Sequence, residues 1–221
     1  MQPVRNDLSL RYVLHVPSRR ADDEEMPVVV MIHGRGADAN DLADLAPLLD
    51  VPGGARFVFP NAPKPFEAYP GMTFGWSWFD GWPPERESVA ESRRALLQFV
   101  KELTTSFPTS RLVMAGFSQG AMMSLDVGLR TDVAGVVAMS GGLYEDDLPD
   151  LRARAGLPVL IAHGSADDVV PVNYARRARR VLEDAGLDVE YHEYPMAHQV
   201  VQEEAEVVQA FLARVLTPGA T

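Results

Sequence analysis

The stretch Leu112-Val113-Met114-Ala115-Gly116-Phe117-Ser118-Gln119-Gly120-Ala121-Met122-Met123 is an apolar strand pattern that meets Gly-Phe-Ser-Gln-Gly and continues as a helix pattern. It reads strand, sharp turn, helix. In a G-x-S-x-G elbow the serine occupies a strained apex, and a Cβ two residues to either side would clash with the adjoining strand and helix. Gly116 and Gly120 stand at those two places. The apex lifts the Ser118 hydroxyl out of the sheet, and the amide of Gln119, in the first helical turn, points toward any negative charge that develops on a substrate. Ser118 is therefore a candidate nucleophile. Short glycine-rich patterns also arise by chance, so the rest of the chain has to decide.

Upstream of the elbow, residues 85–103 form a long amphipathic helix with Val89, Leu96, Val100 and Leu103 on one face, ending before Pro108. Before it, residues 60–84 are rich in Pro and Gly and hold Phe66, Tyr69, Phe74, Trp76, Trp78, Phe79 and Trp82, every tryptophan of the chain among them. That is too long for a plain connector. Residues 56–59 read as a short strand. A short helix bearing Leu42, Leu45, Leu48 and Leu49, capped by Asn40 or Asp41, precedes it. The apolar run 28–32 ends in His33-Gly34-Arg35-Gly36-Ala37-Asp38. Residues 8–16 alternate as a strand, and with 28–32 they are expected to form a hairpin or edge pair around the acidic turn Asp22-Asp23-Glu24-Glu25.

Downstream, 133–139 is a buried-strand pattern leading into Ser140-Gly141-Gly142-Leu143, and 158–162 is another leading into His163-Gly164-Ser165-Ala166-Asp167-Asp168. A helix over 172–185, a strand over 189–194, the turn Pro195-Met196-Ala197-His198 and a last helix with Val201, Ala205, Val208, Leu212 and Val215 complete the chain. Strands that alternate with helices and are apolar on both faces imply an α/β fold, a doubly wound, mostly parallel sheet with helices on both faces. A single domain over residues 1–221 fits the length. Such sheets bind ligands at the carboxyl ends of their strands. The loops after residues 32, 59, 116, 139, 162 and 194 are at those ends.

Composition narrows the function. Hydrophobic content of 47% and charged content of 23% are globular values, and no apolar run is long enough to span a bilayer. Residues 1–7 lack the apolar segment of a secretory signal, so the chain is expected to be cytoplasmic. The absence of cysteine excludes disulfides, thiolate nucleophiles and Cys-type metal sites. A net charge of −11 argues against nucleic acid and anionic lipid surfaces as partners and leaves a small-molecule substrate, with the protein a monomer or homodimer. Two lysines among 20 basic residues suit either a GC-rich genome or a saline habitat.

A serine hydroxyl needs a base within hydrogen-bond reach, itself oriented by a carboxylate. Of the five histidines, His15 and His192 lie inside strand patterns, while His33 and His163 each follow a strand and precede glycine, where an imidazole commonly pins its own loop. His198 sits between the last strand and the last helix and can hang over the sheet edge. The carboxylate should come from the preceding strand end, Asp167 or Asp168. Ser118, then the aspartate, then His198 is the chain order of α/β-hydrolases. An oxyanion hole needs two amide donors, one after the nucleophile and one from an early strand's loop, which are Gln119 and Arg35. Gly34-Arg35-Gly36-Ala37-Asp38-Ala39 also matches a loose dinucleotide fingerprint. The next strand, however, ends in Phe57-Val58-Phe59-Pro60 and brings no carboxylate for a ribose. Histidines scattered one to a loop, without H-E-x-x-H, give no metal site.

With these residues in place the chain resembles the phospholipase/carboxylesterase family of α/β-hydrolases, which includes the acyl-protein thioesterases. The resemblance rests on His33-Gly34-Arg35-Gly36 with Asp41, Pro60-Asn61-Ala62-Pro63, Trp78-Phe79-Asp80, the elbow itself, and Ser140-Gly141. It continues through His163-Gly164-Ser165-Ala166-Asp167 with Val170-Pro171, and Tyr194 with His198. It implies an esterase or thioesterase that needs no cofactor, with Ser118, Asp167 and His198 as the triad. Between the adjacent aspartates, the family pattern H-G-x-x-D-x-x-V-P selects Asp167, and Asp168 is near enough to the next helix to serve its free amides. Arg35 stands where eukaryotic acyl-protein thioesterases carry leucine, which favours a bacterial-type carboxylesterase of small esters. For substrate contact we expect Trp78 from the aromatic segment, and Leu143 and Val170 as acyl wall.

Overall fold

Strands that are apolar on both faces have to be covered twice. The computed structural model, which describes residues 2–17, 24–49 and 51–217, shows how that is done. The strands are β1 (Val4–Arg5), β2 (Tyr12–His15), β3 (Met26–Ile32), β4 (Arg56–Pro60), β5 (Lys64–Tyr69), β6 (Met72–Ser77), β7 (Thr109–Phe117), β8 (Gly135–Met139), β9 (Pro158–Gly164) and β10 (Asp188–Tyr194). The helices are α1 (Arg86–Ser106), α2 (Gln119–Gly128), α3 (Asn173–Asp184) and α4 (Gln202–Leu216). Eight strands form one sheet in the order β1-β2-β4-β3-β7-β8-β9-β10. Every pair from β4 to β10 is parallel, and β2 and β1 add an antiparallel edge.

Side chains along each strand point alternately to two separate cores. Val28, Val30, Ile32, Met114, Val136, Ala138, Val159 and Ile161 face the layer of α1, α2 and α3. Val29, Met31, Val113, Ala115, Val137, Met139 and Leu160 face α4 and the 43–49 segment. This two-sided burial makes the strands read as continuous apolar runs. The register also levels the reactive edge, since Ile32 lies beside Gly116, Phe117 beside Met139, Met139 beside Ala162, and Tyr194 beside Gly164.

Three local expectations are corrected. The strand at residues 12–15 does not pair with β3. It pairs with β4, Val13 opposite Phe59, because both edges of β3 are taken by parallel partners. Of the acidic turn expected between them, Asp22 and Asp23 lie outside the described residues. The short helix after β3 is a 3-10 helix, Ala43–Leu48, with Pro47 inside it and no side-chain cap. Asp38 instead accepts the Asn40 main-chain amide at 2.7 Å, and the Asn40 side-chain Oδ1 accepts from the Gln2 main-chain amide at 3.0 Å. The aromatic segment contains an antiparallel hairpin, β5 with β6, whose register slips at Phe66/Glu67 and again at Glu67/Tyr69. Those irregularities and the Pro and Gly content hid its period from the sequence pattern. The hairpin is docked on the loop after β3, with Gly36 N–H donating to Trp76 O and Trp76 N–H to Ala37 O, both at 2.8 Å.

Candidate active site

At the elbow Ser118 has φ 58° and ψ −118°, a conformation that costs a non-glycine residue about 1–3 kcal/mol. Packing forces it. A Cβ on Gly116 would lie 2.4 Å from the Gly120 backbone, and one on Gly120 would lie 1.9 Å from the Ile32 carbonyl oxygen, so β7, α2 and β3 touch main chain to main chain. The Ser118 amide is tied to Met139 O at 2.9 Å, which fixes the apex to the end of β8.

The loops after β9 and β10 are stitched to each other. Ser165 N–H donates to Tyr194 O at 2.8 Å and Ala166 N–H to Met196 O at 3.1 Å. Gly164 is so close to the second loop that a Cβ there would stand 2.3 Å from Met196 O. This seam brings Asp167 and His198 together, with Asp167 Oδ2 2.7 Å from His198 Nδ1. His198 Nε2 is 3.0 Å from Ser118 Oγ, and its ring packs 4.7 Å from that of Phe117. With Nδ1–H donating to the carboxylate, Nε2 carries a lone pair that faces the serine hydroxyl and can accept its hydrogen bond. The other oxygen of Asp167 accepts the amides of Val169 and Val170 at 2.9 and 2.8 Å. Burial pushes the Asp167 carboxyl up, but the His198 ring and the Val170 and Val169 amides outweigh it and hold the group below the ordinary carboxylate value.

The neighbouring Asp168 is exposed. The helix-capping role expected of it is not seen, since α3 begins at Asn173 without a side-chain cap. His33 and His163 hold loops. His33 accepts the Ala62 amide on Nε2 at 3.1 Å and donates from Nδ1 to Gly34 O at 2.7 Å; burial keeps it neutral and lowers its pKa to about 4. His163 Nε2 donates to Val170 O at 2.7 Å and lies 3.5 Å from Asp167 Oδ2, and burial lowers its pKa as well.

For the oxyanion, Gln119 opens α2, and a helix leaves the amide of its first residue without an internal acceptor. Arg35 lies in the turn after Gly34, where the next two amides, Gly36 and Ala37, are taken by Trp76 O and Gly34 O. Gly34 itself packs on Ser118, its site for a Cβ being 3.4 Å from Ser118 Cβ.

The residues expected to touch substrate are placed differently from one another. Trp78 does not border the mouth. It is fully buried, its indole N–H donates to His33 O at 2.9 Å, and its ring lies 5.4 Å from the His33 ring. Val170 is likewise buried, and its amide and carbonyl serve Asp167 and His163. Leu143 lines a cavity of about 140 Å³ together with Met122, Trp82, Tyr144 and Tyr174. The Met122 amide donates to Ser118 O, so Met122 brings the cavity to within one helical turn of Ser118. Trp82 and Tyr174 meet edge to face at 5.3 Å, and both are partly exposed.

The Gln119 side chain escaped the sequence reading. Its Oε1 accepts from the Trp78 amide at 3.0 Å and the Ser77 hydroxyl at 3.2 Å, while Nε2 donates to Phe79 O at 2.8 Å. A polar side chain inside an apolar run, where burial without partners is costly, was the available signal.

A doubly wound sheet with a strained serine at a strand-to-helix turn, an imidazole and a carboxylate from two later loops defines the α/β-hydrolase class. The chain belongs to the phospholipase/carboxylesterase family of hydrolases, which it matches over residues 18–216. It is 34% identical to acyl-protein thioesterase 1 of Mycosarcoma maydis, covering 84% of this chain and 89% of that protein. Among solved structures, esterase PE8 is 31% identical with a TM-score of 0.77, covering 92% of this chain and 99% of that one. The carboxylesterase from Mesorhizobium loti shares the fold with a TM-score of 0.80 at 23% identity, covering 96% and 98% of the two chains. The thioesterase relative is fungal, so the expected bacterial type has no support from it. No helix among the described residues is long and apolar enough to cross a membrane.

Proposed function

We propose that this chain is a serine hydrolase of carboxylic esters with small to medium acyl groups. The observation that carries the reading is the continuous hydrogen-bonded chain from Ser118 Oγ through the His198 ring to Asp167. His198 Nε2 takes the hydroxyl proton as Oγ adds to the ester carbonyl, and the amides of Gln119 and Arg35 receive the oxyanion. The imidazolium, stabilised by Asp167, returns the proton to the departing alcohol and leaves an acyl-Ser118 ester. Water, deprotonated by the same imidazole, adds to that ester, and the acid departs as Ser118 regains its proton.

The cavity of about 140 Å³ beside Leu143 and Met122, with Glu145 and Asp146 also in its lining, supports small to medium acyl groups. Mixing enzyme with p-nitrophenyl butyrate should release a burst of nitrophenol equal to the enzyme concentration. Ser118→Ala should abolish the burst; a burst that persists in that variant refutes the assignment. A second reading, acyl thioesterase, is favoured by the name of the 34% identical relative. A matched series of oxygen esters and thioesters from C2 to C16 separates the two, since a thioesterase should prefer the sulfur ester at every length and extend to the long chains.

A further inference from the structure

Arg35 is exposed, and its guanidinium carbon lies 4.7 Å from the centroid of the Phe66 ring. Phe66 presses on the same turn, where a Cβ on Gly36 would meet its ring at 3.1 Å. Two backbone hydrogen bonds of 2.8 Å tie that turn to the β5–β6 hairpin. The cation thus lies over a ring that packs on the loop after β3, whose Gly34 touches Ser118. A ring contact takes up none of the guanidinium N–H groups as hydrogen-bond donors and leaves them for a carboxylate or phosphate.

The charge balance makes this arrangement informative. Acidic residues outnumber basic ones, 31 to 20. On the surface Arg176 meets Glu193, Arg177 meets Glu145, Arg179 meets Glu183 and Arg214 meets Glu190. Arg35 has no carboxylate partner among the described residues, and its guanidinium meets the Phe66 ring. Arg11, over the Trp76 ring at 4.4 Å, is likewise without a carboxylate among the described residues; what distinguishes Arg35 is its place in the loop after β3, directly after the Gly34 that packs on Ser118.

We propose that Arg35, stacked on Phe66, is an anion-recognition subsite that takes a carboxylate or phosphate carried by the ester substrate. The inference rests on the esterase reading and narrows it to a substrate class. In the sheet β3 lies on one side of β7 and β8 on the other, so this subsite and the Leu143 cavity approach Ser118 from opposite flanks. A substrate with a short apolar group toward one flank and an anionic group toward the other satisfies both.

The test uses two ester pairs with the full chain. Phenyl butyrate and 4-carboxyphenyl butyrate place the anion on the alcohol. The p-nitrophenyl esters of valerate and hemiglutarate place it on the acid. For each pair the ratio of kcat/KM, anionic over neutral, is compared in the unmodified protein, Arg35→Leu, Arg35→Gln and Phe66→Leu. Both members of a pair use the same oxyanion amides, so a general loss of rate cancels in the ratio. We expect the ratio to fall about tenfold in the Arg35 variants in one of the pairs, chiefly through KM, equivalent to about 1.4 kcal/mol. Phe66→Leu should lose part of that effect, and the pair affected identifies which side of the ester bears the anion. Competitive inhibition by 4-hydroxybenzoate or glutarate should weaken in parallel. Unchanged ratios in both pairs, with the neutral esters still cleaved, overturn the subsite and leave the esterase reading intact. If the unmodified protein cleaves none of the four esters, the esterase reading fails and the subsite falls with it.

Discussion

At the residue scale, Asp167 and Asp168 are adjacent in sequence and opposite in surroundings. Asp167 is buried against His198 and two amides, whereas Asp168 is exposed. Losing a triad carboxylate commonly costs about 10⁴ in turnover without unfolding the protein. Asp167→Asn should therefore fold normally and lose turnover by about that factor. Asp168→Asn should keep its activity and melt within a few degrees of the unmodified protein; steady-state kinetics and a thermal melt distinguish the two. Gln119 invites a different experiment, because its amide clamps Trp78, Ser77 and Phe79 while its main chain serves the elbow. In Gln119→Leu the backbone remains and the Ser77 hydroxyl still donates to Phe79 O at 2.9 Å, so the Trp78 amide is the buried group left without a partner, at roughly 1–3 kcal/mol. Urea unfolding should show a loss of about 1–3 kcal/mol, and no measurable loss would mean that water replaces the clamp.

At the element scale, the elbow depends on three backbones in contact. Gly120→Ala sets a Cβ 1.9 Å from the Ile32 carbonyl oxygen, so β3 and α2 have to separate. The expected result is failure to fold or a loss above about 4 kcal/mol, in the range of the most damaging single substitutions. Gly71→Ala in the β5–β6 turn is the contrast. Nothing lies within 4 Å of its Cβ position, and only its φ of +79° resists alanine, which costs about 1–2 kcal/mol. Equal denaturation midpoints for the two variants would show that β3 and α2 separate at no more cost than alanine meets at a φ of +79°.

At the scale of the whole molecule, stability should depend on pH through Glu204. This carboxyl lies in the first turn of α4, where the helix end favours a charge, yet it is fully buried and neither oxygen completes a hydrogen bond among the described residues. Burial raises its pKa to about 7, and the nearby Val201 amide opposes this only in part. A carboxyl whose pKa is raised in the folded state stabilises the fold while protonated. That contribution is present below pH ~4.5 and is lost as pH rises to about 7, amounting to about 3 kcal/mol over the interval. Glu204→Gln should flatten the stability profile between pH 5 and 8; a profile as steep as that of the unmodified protein would place the titration elsewhere.

Local chemistry made much of the molecule legible. Apolar runs alternating with amphipathic helices determined the doubly wound sheet, because burial on both faces leaves no polar period in a strand. The glycines around Ser118 marked the turn, and the chain order of serine, aspartate and histidine marked the loops in which to look for partners. The tertiary structure decided what depends on distant segments. It separated Asp167 from Asp168 through a seam between the loops after β9 and β10, since adjacent residues in a turn point in different directions. It placed Trp78 inside, because an indole can be buried where its N–H finds a carbonyl, here that of His33. It paired β2 with β4 and not with β3, since pairing is settled by which strand edges remain open once the parallel strands are in place.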